Sequence, residues 1–319
     1  MKVKQVKRIA IIGAGGHSCA HHGPAAKALK DRLEASAIVD LDLKKAEQYA
    51  ADYQLDFAFN DIDDMVTYFK PDALIAITPT TVTAKVIRQL LPYGLPILAE
   101  KPFGDTIELS RALCDEVQAV DAKIMLSFNR RFSPVCSRAM QLLADRFADR
   151  PLQHIRGTML RKSRHEPVFL TGTGVHLIDC VNMFAGSVFK QVRTLPMCKT
   201  MKDHAAIQAQ VVYQDDVTAD LLIHSHCGRV TETYELFGRD YQIIVDVNNG
   251  LQVYDAEALV LDEPYADDME QAVKDGAIAE FAYFLDCLEA GQYDFSPGPL
   301  DALYAAQIGD QLERENLNR

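Results

Sequence analysis

The chain has 319 residues, 48% of them hydrophobic and 24% charged. That balance excludes a disordered, collagenous or coiled-coil chain, and the length suits two globular domains. A formal net charge of −12, with no long basic block, argues against a nucleic-acid partner.

Short apolar runs over 8–12, 37–39, 73–77, 97–99 and 123–128 predict buried strands. Helical periods fill the gaps, over 24–33, 43–53, 61–69, 80–91 and 106–120. Pro24 suits a first helical turn, and Pro71 stops the third helix. Strand, helix, strand at this spacing predicts right-handed βαβ units and a parallel sheet. After residue 150 the pattern changes. Ile207, Ala209, Val211 and Tyr213 alternate with Gln208 and Gln210, and the stretches 217–225 and 241–247 alternate in the same way. Close-spaced alternating strands predict an antiparallel meander with one apolar face, giving a second domain of the α+β class. Its outer face is expected to carry Leu222, Tyr234 and Leu236, which suits cover by another subunit. Helices are expected over 174–184, 266–290 and 300–316.

The first chemical motif is Gly13-Ala14-Gly15-Gly16-His17-Ser18, directly after a strand. It is a G-x-G-x-x-G fingerprint with Ser18 in the third place. Gly13 permits the tight turn, Gly15 lets backbone approach a pyrophosphate, and a small third residue lets helix and strand pack closely. Asp40 ends the second strand, where a carboxylate accepts from the hydroxyls of an adenosine ribose. It repels a 2′-phosphate, so NAD is favoured over NADP. The other reading of Asp40 is a cap on the following helix. The domains expected are therefore a dinucleotide-binding Rossmann domain over 1–124 and a substrate-binding and oligomerisation domain over 125–319, whose last helix can pack back on the first domain. Glu100-Lys101-Pro102 follows another strand, and a lysine there can stabilise a substrate alkoxide. His176 and Asp179, three residues apart, share one helix face.

The glycine fingerprint, Asp40, Thr78-Pro79, Glu100-Lys101-Pro102, Asn129-Arg130-Arg131-Phe132 and Gly174-x-His176-x-x-Asp179 occur in one order. In that order the chain resembles the Gfo/Idh/MocA family, the glucose–fructose oxidoreductase and inositol dehydrogenase type, over nearly its whole length. The resemblance implies an α/β Rossmann domain with a parallel sheet, followed by an α+β domain with a large, mostly antiparallel open sheet. It implies hydride transfer between NAD(P) and a hydroxyl or keto carbon of a sugar, polyol or related compound. Lys101, His176 and Asp179 then become the catalytic set. Gly13, Gly15, Gly16, His17, Ser18, Asp40, Thr78, Pro79, Glu100 and Lys101 become the cofactor-binding set. Arg131, Arg161 and His176 become the substrate-binding set. A homodimer or homotetramer is expected. Two positions depart from the family. An Asp often stands four residues before the histidine, where this chain has Gly172, and a His often stands five residues after the Thr of Thr-Pro, where it has Thr83. A non-catalytic NAD-binding sensor of the same fold is therefore the alternative.

His17-x-Cys19-x-His21-His22 is rich in metal ligands, yet no second cluster accompanies it in sequence. His21 and His22 are expected to shape the mouth of the site, and no metal is expected. Arg161, Lys162 and Arg164 either hold an anionic substrate group or form a solvated charge run. Seven scattered cysteines without a CxxC suggest free thiols in a reducing cytoplasm. No apolar run approaches the ~20 residues of a membrane span, and the apolar run after Met1–Lys7 is too short for a signal core.

Overall fold

The computed structural model describes residues 8–165, 169–195 and 206–317, with side chains through 315. Met1–Lys7 and Cys198 lie outside them. Residues Met1–Asn129 and Gly276–Leu303 form one compact unit; Arg130–Asp275 and Tyr304–Arg319 form a second. A single cut at 124/125 is therefore corrected. It would fall inside a strand of the first unit and leave out a segment that returns to it from late in the chain.

The first unit holds six parallel strands: β1 (Arg8–Ile12), β2 (Ala35–Val39), β3 (Phe57–Phe59), β4 (Ala73–Ala76), β5 (Ile97–Glu100) and β6 (Ile124–Ser127). They stand in the order β3-β2-β1-β4-β5-β6, so the connection reverses direction between β1 and β4. Ligands of open α/β sheets bind at such a switch point, beyond the carboxyl ends of the strands. Strands β4, β5 and β6 are buried at every residue, which is why they read as apolar runs, broken only at the ends of β5 and β6 by Glu100 and Ser127. The helices are α1 (Gly23–Ala28), α2 (Leu43–Tyr53), α3 (Ile62–Phe69), α4 (Thr80–Leu90) and α5 (Ile107–Ala119). Asp42, Asp61 and Thr106 cap α2, α3 and α5 by accepting from main-chain N–H groups within three residues.

Three differences from expectation have physical causes. The helix expected over 24–33 is α1 followed by a 3-10 turn over Lys30–Arg32, and it is preceded by a π turn over Ser18–His22. Strand β3 has only three residues and half-exposed side chains, too little for a pattern to declare itself. The helix expected over 266–290 is two helices, Gln271–Lys274 and Ala277–Ala290. They part at Gly276, whose φ of +85° is a left-handed conformation that ends a helix. The second of them packs on the first unit. Ser127 Oγ donates to Glu280 Oε2 (2.8 Å), the Leu126 N–H donates to the Pro297 carbonyl (2.9 Å), and Arg32 pairs with Asp286 and Glu289.

The second unit holds eight strands: β7 (Leu152–Leu160), β8 (Phe189–Leu195), β9 (Ala206–Tyr213), β10 (Thr218–His224), β11 (Thr231–Gly238), β12 (Tyr241–Asp246), β13 (Gly250–Asp255) and β14 (Ala258–Pro264). Their order is β14-β13-β12-β11-β7-β10-β9-β8. All neighbours are antiparallel except β7 and β10. The sheet is therefore mostly antiparallel and open, as the alternation implied. On β10, Ala219, Leu221 and Ile223 are buried while Asp220, Leu222 and His224 are not. Tyr234 and Leu236 correct one expectation. Both are fully buried on the core face, and Thr233, Glu235 and Phe237 form the outer set of β11. Helix α6 spans Pro134–Asp145, and α7, over Val175–Ala185, packs on β7. The last helix, Pro299–Leu317, holds β8 through Glu315, which accepts from the Thr194 N–H (3.1 Å) and hydroxyl (2.5 Å). Among the described residues no helix is long and apolar enough to cross a membrane.

Candidate functional site

The turn after β1 is built on Gly13. Its φ is +106°, and an added Cβ would stand 2.0 Å from the Ile77 carbonyl oxygen, so only glycine fits. At Gly15 and Gly16 an added Cβ meets nothing within 4 Å. Open space therefore lies over exposed backbone at Gly15, the position where the fingerprint needs it, and at Gly16 beside it. Asp40 fastens the end of β2 to this turn. Its Oδ2 accepts from the Ala14 N–H (2.9 Å) and its Oδ1 from the Asp42 N–H (3.0 Å). The carboxylate keeps further lone pairs for hydroxyl donors. Asp42, not Asp40, caps α2. Ser18 is buried, and its hydroxyl lies 2.9 Å from that of Tyr49, so it packs the turn. Thr78 and Pro79 follow β4, and the buried Thr83 hydroxyl lies 3.3 Å from the Pro79 carbonyl inside the first turn of α4.

Glu100 ends β5 and is buried. His17 Nε2 and His22 Nε2 each lie 2.9 Å from its Oε1. Burial alone pushes this carboxyl up, but His17, His22 and the adjacent Lys101 outweigh it and hold it well below the usual range. Burial likewise pulls His22 down, and its bond to Glu100 opposes without reversing that. The pair is thus a carboxylate accepting from a neutral imidazole. The expectation that His22 shapes a mouth is corrected, since His22 is 3% exposed and faces Glu100. Lys101 is the first residue past β5 and is half-buried; the Lys101–Pro102 peptide is cis.

In the second unit, α7 is buried on nearly every face and carries His176 and Asp179, both buried. Arg131 grips Asp179 with two parallel bonds, Nε to Oδ2 (2.8 Å) and Nη2 to Oδ1 (2.6 Å). Arg161 is not part of a solvated charge run. It is buried, donates to the Leu160 and Thr231 carbonyls and pairs with Glu232. Arg130 also pairs with Glu232, at 3.1 Å, and lies near Asp275. Burial pushes the Glu232 carboxyl up, but Arg130 and Arg161 outweigh it and the net shift is down. Arg164 donates to the Thr173 hydroxyl (3.2 Å). Gly172 lies in a second π turn, Leu170–Gly174, that leads into α7.

Residues 7–128 match the family described as oxidoreductase, NAD-binding Rossmann fold, the Gfo/Idh/MocA group. The first unit is therefore similar to the Gfo/Idh/MocA family over these residues. An inositol 2-dehydrogenase of Corynebacterium glutamicum is 29% identical over 185 residues, covering 56% of this chain and 54% of its own length. A D-xylose 1-dehydrogenase [NADP(+)] of Haloarcula marismortui is 26% identical over 155 residues, 48% of this chain and 42% of its own. The chain thus spans about half the length of these relatives. A crystal structure of a dehydrogenase from Chromobacterium violaceum shares the fold at a TM-score of 0.86 and 16% identity, over 98% of this chain and 95% of that one.

Within the Gfo/Idh/MocA frame the two departures have plain structural descriptions. Thr83 is a buried residue of a helix turn, and Gly172 adds no side chain to the turn before α7. The residues that sequence reasoning missed are the partners of its candidates. They are Glu232 and Asp275, far from Arg130 and Arg161 in sequence; for Glu100, itself a candidate, what was missed is its pairing with the distant His17 and His22. No local periodicity links such residues.

Proposed function

We propose that the chain transfers hydride between a nicotinamide cofactor and a hydroxyl or keto carbon of a sugar, polyol or related small molecule. The observation that carries this reading is the glycine turn, with Gly13 locked against Ile77 and open space over Gly15 and Gly16. A pyrophosphate fits such a backbone cradle at the start of a helical segment. Gly13, Gly15, Gly16, His17, Asp40, Thr78, Pro79, Glu100 and Lys101 are the residues we assign to holding NAD(P), with Ser18 supporting the turn from below. The bound nicotinamide supplies the hydride chemistry. NAD is favoured over NADP because the Asp40 carboxylate, held at the end of β2 by the Ala14 and Asp42 N–H groups, has lone pairs to offer ribose hydroxyls and repels a phosphate.

Lys101 stabilises negative charge on the substrate oxygen, and His176 takes or returns its proton. Asp179 is a positioning residue. Its two oxygens are engaged by Arg131, and it sits one helical turn from His176. Arg131 and Arg161 are accordingly assigned to holding this unit together, not to clamping a substrate. We also propose a homo-oligomer, joined through the outer face of the second unit's sheet, and a reducing cytoplasmic setting. The oligomer is checked by light scattering at micromolar protein.

Calorimetric titration with NADH and NADPH tests the reading. NADH should bind more tightly, and Gly15→Val should weaken it more than about tenfold with no change in thermal midpoint. A screen of sugars, inositols and hydroxy acids for NAD reduction then supplies a substrate. On it, Lys101→Met should lower turnover about 100-fold while NADH binding persists. Failure of the parent to bind either nucleotide overturns the proposal. The second reading is a nucleotide-binding sensor, favoured by Gly172 and by the engaged state of Asp179. It gains if NADH binds and no compound in the screen turns over.

A further inference from the structure

The cluster His17–His22–Glu100 does more than a cofactor cradle requires. Its three ligand atoms come from three places, the glycine turn, the π turn and the end of β5, and all lie within 4.8 Å of one another. The π turn is what brings the two histidines together. In an α-helix, residues five apart point ~140° away from each other. The wider π turn over Ser18–His22 puts positions five apart on one side, so His17 and His22 both reach Oε1 of Glu100. Such π turns inside helical segments recur at functional sites. His21 is not in the group of three, though its ring lies tilted by 45° against that of His17 with centroids 4.5 Å apart.

We propose that His17, His22 and Glu100 bind a divalent transition-metal ion of the zinc class, with water in the fourth position. The donor set carries the choice. Two imidazoles and one carboxylate are a recurring three-ligand set for Zn²⁺, which leaves a place for water. Mg²⁺ and Ca²⁺ need more oxygen ligands than this cluster has. Binding needs each imidazole to carry its proton on Nδ1, which frees Nε2 to coordinate. A tetrahedral ion with bonds of about 2.0–2.1 Å sets its ligand atoms about 3.3–3.4 Å apart. The present 2.9 Å separations therefore open by only a few tenths of an ångström. His17 is the exposed member, with a side chain 44% accessible, and marks the route of entry for ion and water. The site stands on the first unit alone and does not rest on the activity proposed above.

The experiment uses the full chain stripped with chelator. Zn²⁺ is titrated by calorimetry, and Co²⁺ is titrated while the visible bands of a tetrahedral nitrogen–oxygen site are recorded. One ion per chain is expected. Changes outside the ligand set of a metal site typically cost 10–100-fold in affinity, so His17→Ala and Glu100→Gln, which remove ligands, should cost at least about 100-fold and abolish the tetrahedral Co²⁺ spectrum. His226→Ala, in the second unit, should leave both unchanged. His17 is exposed, so His17→Ala keeps its fold and decides the matter even where a change at the buried Glu100 does not fold. Binding absent in the parent at about 100 µM metal overturns the proposal. Binding retained in His17→Ala, or lost in His226→Ala, overturns it equally.

Discussion

Each unit buries a carboxylate beside candidate site residues, and the partners differ in kind. In the first unit Glu100 meets two imidazoles. In the second Asp179 meets the fork of Arg131, and Glu232 meets Arg130 and Arg161. A guanidinium stays charged at every pH a folded protein meets and offers only donors. An imidazole can be neutral, charged or a metal ligand. The second unit's clusters therefore act as fixtures, and the Arg131–Asp179 pair anchors α7. The first unit's cluster has several states, and it lies where the glycine turn and β5 end.

If the arginine pairs are fixtures, breaking one should give the largest stability change in the molecule. Arg131→Leu strands the buried Asp179 carboxylate, and Asp179→Leu strands Arg131. Each should cost about 3–5 kcal/mol in denaturant unfolding. The double replacement should recover most of that, because two apolar side chains leave no unpaired charge. A double variant as unstable as the worse single one would show that the pair's hydrogen bonds have no apolar substitute, and the fixture reading would then be too simple.

Acid sharpens the comparison next. His22 titrates below its ordinary value, so as pH falls below about 6.5 the unfolded chain takes up a proton that the folded chain refuses. Glu100 also titrates below its ordinary value, so its contribution is present above about pH 4.5 and is lost as pH falls through the folded value. Both signs agree: the first unit loses stability on acidification, beginning with His22. Glu232 also titrates low, so the second unit's buried cluster follows only below about pH 4.5. Thermal midpoints from pH 8 to 4 should therefore fall in two stages. His22→Gln should flatten the first stage and leave the second. A parent midpoint level from pH 7 to 5 would break the contrast.

The fold was legible because its signals are local. Five of six first-unit strands are apolar runs, and α2 spans the residues its period marked, with Asp42 as cap. The alternating strands showed themselves by the spacing of single residues, as on β10. Strand β3 lacked length, and the break at Gly276 lay inside a helical period. The candidate site was half legible. Gly13, Gly15 and Asp40 carry their geometry in their positions. What His17, His22, Arg131 and Arg161 touch depends on residues up to 83 positions away, and no spacing rule reaches that far.

The smallest effect isolates burial as the cause of the largest. Arg88 and Glu116 form the same fork, Nε to Oε2 and Nη2 to Oε1, both at 2.7 Å. Geometry is thus matched to Arg131 and Asp179. Exposure is not: the side chains of the Arg88 pair are 42% and 41% accessible, against 10% and 1% for the Arg131 pair. Water screens the exposed pair and solvates either partner left alone, so the stranding penalty disappears. Arg88→Ala should change stability by no more than about 0.5 kcal/mol, and the change should vanish in molar salt. The salt series separates two explanations for Arg131. If a fork is worth several kcal/mol wherever it forms, Arg88→Ala will cost as much as Arg131→Leu and fade with salt. If the cost comes from stranding a charge away from water, Arg131→Leu will stay costly in salt while Arg88→Ala stays near zero throughout, because a buried carboxylate without its partner is beyond the reach of screening ions.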